Sequence, residues 1–276
     1  MAVFVGINAS DAAESWDAMR RWGHVPASDV WDGEWWGLVT SAFVHVEIWH
    51  VAFNVYWLWI LGRVLEQAVG PVRWLLLCLS AAFVSSAAQL AWSDDTGIGF
   101  SGVVYAFFAF MWAARRRWPV FAEVVSRDTV SLFLVWLVLC VGLSATGVWN
   151  VGNAAHVAGL AYGASLGAAV AIQRRRVAAV AGAGALLVAS IGVLFYAPWS
   201  QAWTCVQAYR LHADGDYDAA ERHYLRARDL GAEPGWVLEN LARLYAANGD
   251  RKKYDDALGR LREIDPAAAR RVEGGE

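Results

Sequence analysis

The sequence predicts an all-α fold, a polytopic membrane helical bundle followed by a small soluble helical-repeat tail, and three observations predict it. Of its 276 residues, 58% are hydrophobic and only 18% charged, a balance too apolar for an ordinary soluble domain. The apolar residues gather into spans near 44–62, 72–92, 100–114, 130–148, 154–172 and 177–197, most of them close to the roughly 20 residues a bilayer-crossing helix needs. Beyond about residue 200 the chain turns rich in Arg, Asp and Glu, whereas 130–172 contains none of Asp, Glu, Lys or Arg, so the two regions face different solvents.

Taken in order, residues 1–43 read as an N-terminal segment and first extracytoplasmic loop. The opening MAVFVGINASDAAESWDAMRRWGHVP has neither the charged start nor the apolar length of a signal peptide. Within it, AVFVGI reads as the tail of an apolar helix whose start is truncated, either lost or lying upstream of an internal Met1. Residues 44–197 form the transmembrane domain, its spans joined by GRVLEQAVG, SDDTGIG, ARRRWPVFAEVVSRD and WNVGN, which carry the Gly, Pro, Asp and Asn that end helices. The bases Arg63, Arg73, Arg115–Arg117, Arg127 and Arg174–Arg176 fall in every second loop, which puts those loops in the cytoplasm. Ser101 then opens its helix on the outer side, and the 198–276 tail lies outside the cytoplasm. A net charge of −3 without a basic stripe argues against a nucleic-acid partner. Cys78, Cys140 and Cys205 are too scattered for a disulfide framework or a thiolate metal site.

Polar side chains inside apolar spans are costly and therefore functional candidates. The first span holds His45, His50 and Asn54 in HVEIWHVAFN; the third opens with Ser101 in GFSGVVYAFFAF; the fifth opens with His156 in NAAHVAGLAYGASLG. His50 and Asn54, four apart, share a helix face, and His45 lies near the outer end, about 140° round from His50 at 100° per residue. Gly159, Gly163 and Gly167 make a small-residue ridge that lets two helices approach closely. Packed against Gly99 and Gly102, it would carry His156 to Ser101, the pairing in which an imidazole takes a hydroxyl proton during attack on a carbonyl. No Asp or Glu lies near either residue in the spans, so a Ser/His dyad is the serine chemistry on offer, with Tyr105 placed to stack on the imidazole. His50, Asn54 and the Ser101 amide are candidate donors to an oxyanion. A hydrolase elbow is excluded, since Val103 stands where Gly-x-Ser-x-Gly needs its last glycine. A metal site on His45, His50 and His156 lacks both the His-Glu-x-x-His spacing and a carboxylate, so no metal and no organic cofactor is expected.

These segments, in this order, resemble the three signature motifs of rhomboid intramembrane serine proteases, and EWWGLVTSAFVH is similar to the loop leading into that family's second helix. The match covers roughly residues 22–172. The resemblance implies a six-helix core, here with one extra C-terminal helix, and a Ser101/His156 dyad open to the extracytoplasmic side of a plasma (inner) membrane. It also implies His50 and Asn54 in the oxyanion hole, and single-span membrane proteins as substrates, cut near helix-destabilising residues. The chain departs from the family at Gly37, where Trp-Arg is usual, and in its first helix. Those departures are what a catalytically inactive rhomboid-like scaffold, binding transmembrane helices and recruiting partners through the repeats of its tail, would show.

In the tail, Gly215-Asp216 and Gly249-Asp250 stand 34 residues apart, as do Ala208 and Ala242, and Leu230 and Ile264. That period, closed by Pro266, resembles tetratricopeptide repeats, with Ala220 and Tyr224 kept in the first copy and Tyr254 where alanine is usual in the second. The resemblance implies a docking module for a protein partner.

Overall fold

The computed structural model of the protein describes residues 19–274 and divides into two compact units, one ending at Phe195 and the other beginning at Tyr196. The AVFVGI segment lies outside the described residues. The first unit is built from α1 (Ile48–Val69), α2 (Pro71–Ser93), α3 (Ser101–Ala114), α4 (Arg127–Ala145), α5 (Asn153–Ala171) and α6 (Arg176–Phe195), and the described residues include no strand. All but α3 are long and apolar enough to cross a membrane.

Local sequence explains the boundaries. Gly70 adopts φ +85°, open to glycine, and Pro71 starts α2 where a missing N–H costs nothing. Ser126 caps α4 by accepting from the Thr129 N–H. Pro198 stops α6 at Phe195, and the extended backbone of Val44 and Glu47 delays α1 to Ile48.

The short helix α3 forms the centre, with Gly102 through Met111 all buried. Its 14 residues rise about 21 Å, roughly 9 Å less than a hydrocarbon core. With Arg115–Arg117 following one end and Ser101 at the other, α3 by itself is too short to cross a full hydrocarbon core. α5 runs parallel to α3, and the glycine ridge makes the contact. A Cβ at Gly159, Gly163 or Gly167 would come within 2.1, 2.0 or 2.4 Å of the carbonyl oxygens of Gly102, Ala106 and Phe110 respectively. α4 is held more loosely, burying only Phe133 and Cys140. Phe133 stacks on Phe108 at 4.3 Å between centroids and meets Tyr105 and Trp57 edge-on. Val135, Val138, Leu75, Leu76, Val180 and Val188 point outward, as lipid-facing positions do.

The segment before α1 is a set of short turns stitched to the bundle. Trp31 Nε1–H donates to Val193 O of α6 at 2.9 Å, and Trp35 meets Phe195 edge-on. Arg20 bridges Asp29 at 2.6 Å and also pairs with Glu34. Position 37, where the family resemblance leads one to expect arginine, has no room for any side chain, because a Cβ there would lie 2.3 Å from Val25 Cβ.

The second unit contains α7 (Gln201–Ala213), α8 (Tyr217–Asp229), α9 (Pro234–Asn248), α10 (Arg251–Ile264) and α11 (Pro266–Gly274). Asp216 and Asp250, 34 residues apart in sequence, are both N-caps, accepting from the Ala219 and Lys253 N–H groups. Ala208, Ala220, Tyr224, Leu241, Ala242 and Ala257 form a common core. α11 closes the stack, its Ala268 and Ala269 buried with Leu258 and Leu261 of α10.

Candidate active site

Two helix starts build the site. Ser101 is the first residue of α3 and His156 lies in the first turn of α5, and the glycine ridge holds the two helices at backbone contact just beneath them. Ser101 Oγ is 2.7 Å from His156 Nε2. The imidazole is buried, and its Nδ1 has no hydrogen-bond partner among the described residues, so no carboxylate orients it. Tyr105, one turn below Ser101, packs against the imidazole. Its ring lies 4.8 Å from the imidazole, tilted by 33°, and its hydroxyl donates to Phe133 O at 3.2 Å. Such a pair can pass a proton from hydroxyl to neutral imidazole without separating a buried charge from its counter-ion.

The loop before α3 brings the donors. Gly99 adopts φ +94°, and a Cβ there would fall 2.4 Å from His50 Cε1, 2.6 Å from His50 Nε2 and 3.4 Å from Asn54 Nδ2. Both side chains of α1 therefore reach the backbone two residues before Ser101, and only glycine fits by space and by dihedral. The Ser101 N–H, in the first turn of α3, has no intrahelical partner. His45 sits elsewhere than the helical spacing predicts: α1 starts at Ile48, so His45 belongs to the preceding loop and folds back onto the helix. Its ring centroid is 4.9 Å from that of His50. Asn54 Nδ2–H donates to His45 Nε2 at 2.9 Å, while His45 Nδ1–H donates to Phe43 O at 3.2 Å, an arrangement that aims the Asn54 amide. Gly102 approaches Ser85, where a Cβ would lie 2.6 Å from Ser85 Oγ.

Sequence reasoning missed several residues. Gln89 of α2 accepts the Ala155 N–H through Oε1 at 3.2 Å, capping the helix that carries His156, and is steadied by Ser93 at 2.8 Å. Asn153, at the start of α5, donates to Ser144 Oγ of α4 at 2.8 Å. Buried Thr96 donates to Ser41 Oγ at 3.1 Å, and Gly99 N–H donates to Ser41 O at 3.3 Å, so the turns before α1 hold the loop before α3. An amide among apolar residues was the available signal for Gln89. A cavity of about 430 Å³ opens over the pair, lined by Ser101, His156, His50 and Asn54 together with Trp136 and Phe53. Trp49 of α1 and Trp149 of the α4–α5 loop stack at 4.6 Å across its rim.

A family model described as the Rhomboid domain matches residues 32–173. Among curated proteins, the rhomboid protease GlpG of Serratia proteamaculans (strain 568) is 33% identical over 147 residues, which make up 53% of this chain and 52% of that protein. The chain thus spans about half the length of that relative.

Proposed function

The chain belongs to the rhomboid family, and from that premise we propose that it is an intramembrane serine endopeptidase acting through a Ser101/His156 dyad. The observation that carries the reading is the 2.7 Å contact between a hydroxyl and an imidazole that has no other hydrogen-bond partner among the described residues, beside a cavity. Ser101 Oγ attacks the peptide carbonyl as its proton passes to His156 Nε2. The Ser101 N–H, His50 and Asn54 receive the oxyanion, each donor of this kind lowering the barrier by about 3–4 kcal/mol. Collapse breaks the C–N bond while His156 returns the proton to the leaving amine. Water then attacks the acyl-serine, giving its proton to His156, and the acid product leaves as Ser101 is restored.

The substrates are single-span membrane proteins, cut in or near their transmembrane segments, a reading supported by the resemblance of the three motif segments to rhomboid proteases and by a cavity lined by helices long and apolar enough to cross a membrane. The protein resides in the inner membrane with the site open to the extracytoplasmic side, as the arginine placement supports. The second unit is a tetratricopeptide-like docking module, a reading supported by its 34-residue repeat of N-caps.

A serine-reactive phosphonate probe tests the reading on detergent-solubilised protein. Wild type is labelled covalently, and both Ser101→Ala and His156→Ala are not. A folded wild-type sample that stays unlabelled, and cuts no single-span substrate, would leave the protein as a helix-binding scaffold instead.

A further inference from the structure

Charge in the first unit is segregated by end. At the end bearing Ser101 and His156, the carboxylates Asp29, Asp32, Glu34, Glu47, Asp94 and Asp95 stand with Arg20 and Arg21. At the opposite end the bases prevail, and they concentrate in two runs, Arg115–Arg117 directly after α3 and Arg174–Arg176 directly before and at the start of α6. The two runs follow the ends of neighbouring helices. α3 and α5 run parallel, and a Cβ at Gly167 would meet Phe110 O at 2.4 Å and Ala113 Cβ at 3.0 Å, so the helices are still in backbone contact one turn before both end. All six guanidinium groups are exposed. The carboxylates at that end are Glu66, Glu123 and Asp128, and none of them forms an ion pair with either run among the described residues. Arg117 makes a cation–π contact with Trp118 at 5.7 Å, which shields one face and leaves the fork open.

We propose that the two arginine triplets form one binding site for the phosphate headgroup of an anionic phospholipid, which clamps the ends of α3 and α5 together. Guanidinium forks match phosphate oxygens in pairs, and six of them uncompensated at one end repel each other unless anions intervene. A phospholipid is the occupant rather than free phosphate, because exposed apolar side chains lie beside the charge: Val170 is 49% and Val177 84% exposed, one on each side of the second triplet, where an acyl chain can run along the bundle. The site is independent of the chemistry proposed for Ser101.

Native mass spectrometry of the full-length protein in mild detergent, titrated with phosphatidylglycerol, phosphatidylcholine or inorganic phosphate, reads the site directly. Wild type retains phosphatidylglycerol in preference to phosphatidylcholine, and phosphate neither binds comparably nor competes. Each arginine near a phosphate surface is worth roughly fivefold in affinity, so Arg115→Gln/Arg116→Gln/Arg117→Gln and Arg174→Gln/Arg175→Gln/Arg176→Gln each weaken retention on the order of 100-fold. If a triple variant fails to fold, the single changes Arg116→Gln and Arg175→Gln carry the test, with about fivefold loss each. Equal retention of the two lipids, displacement by phosphate at matching concentration, or unchanged retention in folded variants overturns the proposal.

Discussion

The glycine ridge sets the Ser101–His156 separation, so one methyl group at position 159 tests the architecture. In Gly159→Ala, the new Cβ would lie 2.1 Å from Gly102 O and 2.9 Å from its carbonyl carbon. A carbon rests no closer than about 3.3 Å to a carbonyl oxygen, so α3 and α5 must part by roughly 1.2 Å at that level. Both obstructing atoms are backbone, and no rotamer change relieves the clash. Parting the helices there stretches the Ser101–His156 contact from 2.7 Å toward about 3.9 Å, past any hydrogen bond. Overpacking of this kind costs about 1–3 kcal/mol of stability, whereas displacing a reacting group by roughly 1 Å costs on the order of 100-fold in rate. The assay is the phosphonate labelling rate, measured beside thermal unfolding in the same detergent. Gly184→Ala, whose Cβ meets nothing within 4 Å, is the control and labels at the wild-type rate. A folded Gly159→Ala that labels within twofold of wild type would refute the argument that backbone contact positions the pair.

Asn54→Ala lowers kcat by roughly 100- to 1000-fold with little change in KM, as loss of one oxyanion donor does, while His45→Ala, which only aims that amide, costs about fivefold; cleavage kinetics on a single-span substrate separate the two. Gln89→Leu removes the acceptor of the half-buried Ala155 N–H and lowers stability by about 1 kcal/mol, read by thermal unfolding. In the second unit, burial alone would raise the Glu239 carboxyl, but bonds to Arg271 and Arg243 at 2.9 Å overcome it and hold the group below its ordinary range. Its contribution is therefore present above the ordinary carboxylate range and lost as pH falls through the depressed value. Glu239→Gln removes that part of the acid sensitivity, and a pH series of unfolding midpoints with the same acid slope as wild type would contradict it.

What the sequence made legible was whatever depends on short-range spacing. Five of the six apolar spans appear as α2 to α6 within a few residues, because length and hydropathy are local quantities, whereas the first runs on to Val69, since GRVLEQAV continues the helix and only Gly70 ends it. The approach of α3 to α5 could also be read from three glycines four apart, since only bare backbone allows it. Contacts set by chain reversal were not legible. His45 failed the helical-wheel argument because the wheel presumes a helix that starts only at Ile48. Gln89 lies 66 residues from the N–H it caps, and no periodicity links the two. Gly37 looked like the loss of a bracing arginine, whereas its neighbour Val25 leaves no space for a side chain of any kind.

The absence of an acid from α3 and α5, and a His156 Nδ1 with no hydrogen-bond partner among the described residues, are two views of one constraint. A carboxylate beside the imidazole would have to be desolvated at bilayer depth, where removing an ion from water costs several kcal/mol before any attraction is regained. In the proposed mechanism a neutral pair avoids that cost in the resting site and forms charge only with the tetrahedral intermediate, when the candidate donors beside Gly99 would receive it. What remains of the acid's role is to fix the ring, and Tyr105 can do this without charge, since its own hydroxyl is tied to Phe133 O of α4. That tie makes imidazole orientation depend on α4, the helix with the fewest buried residues among the long spans of the first unit. Outward displacement of α4 would thus loosen Tyr105 and the dyad together, linking access to the cavity with the readiness of the pair to react.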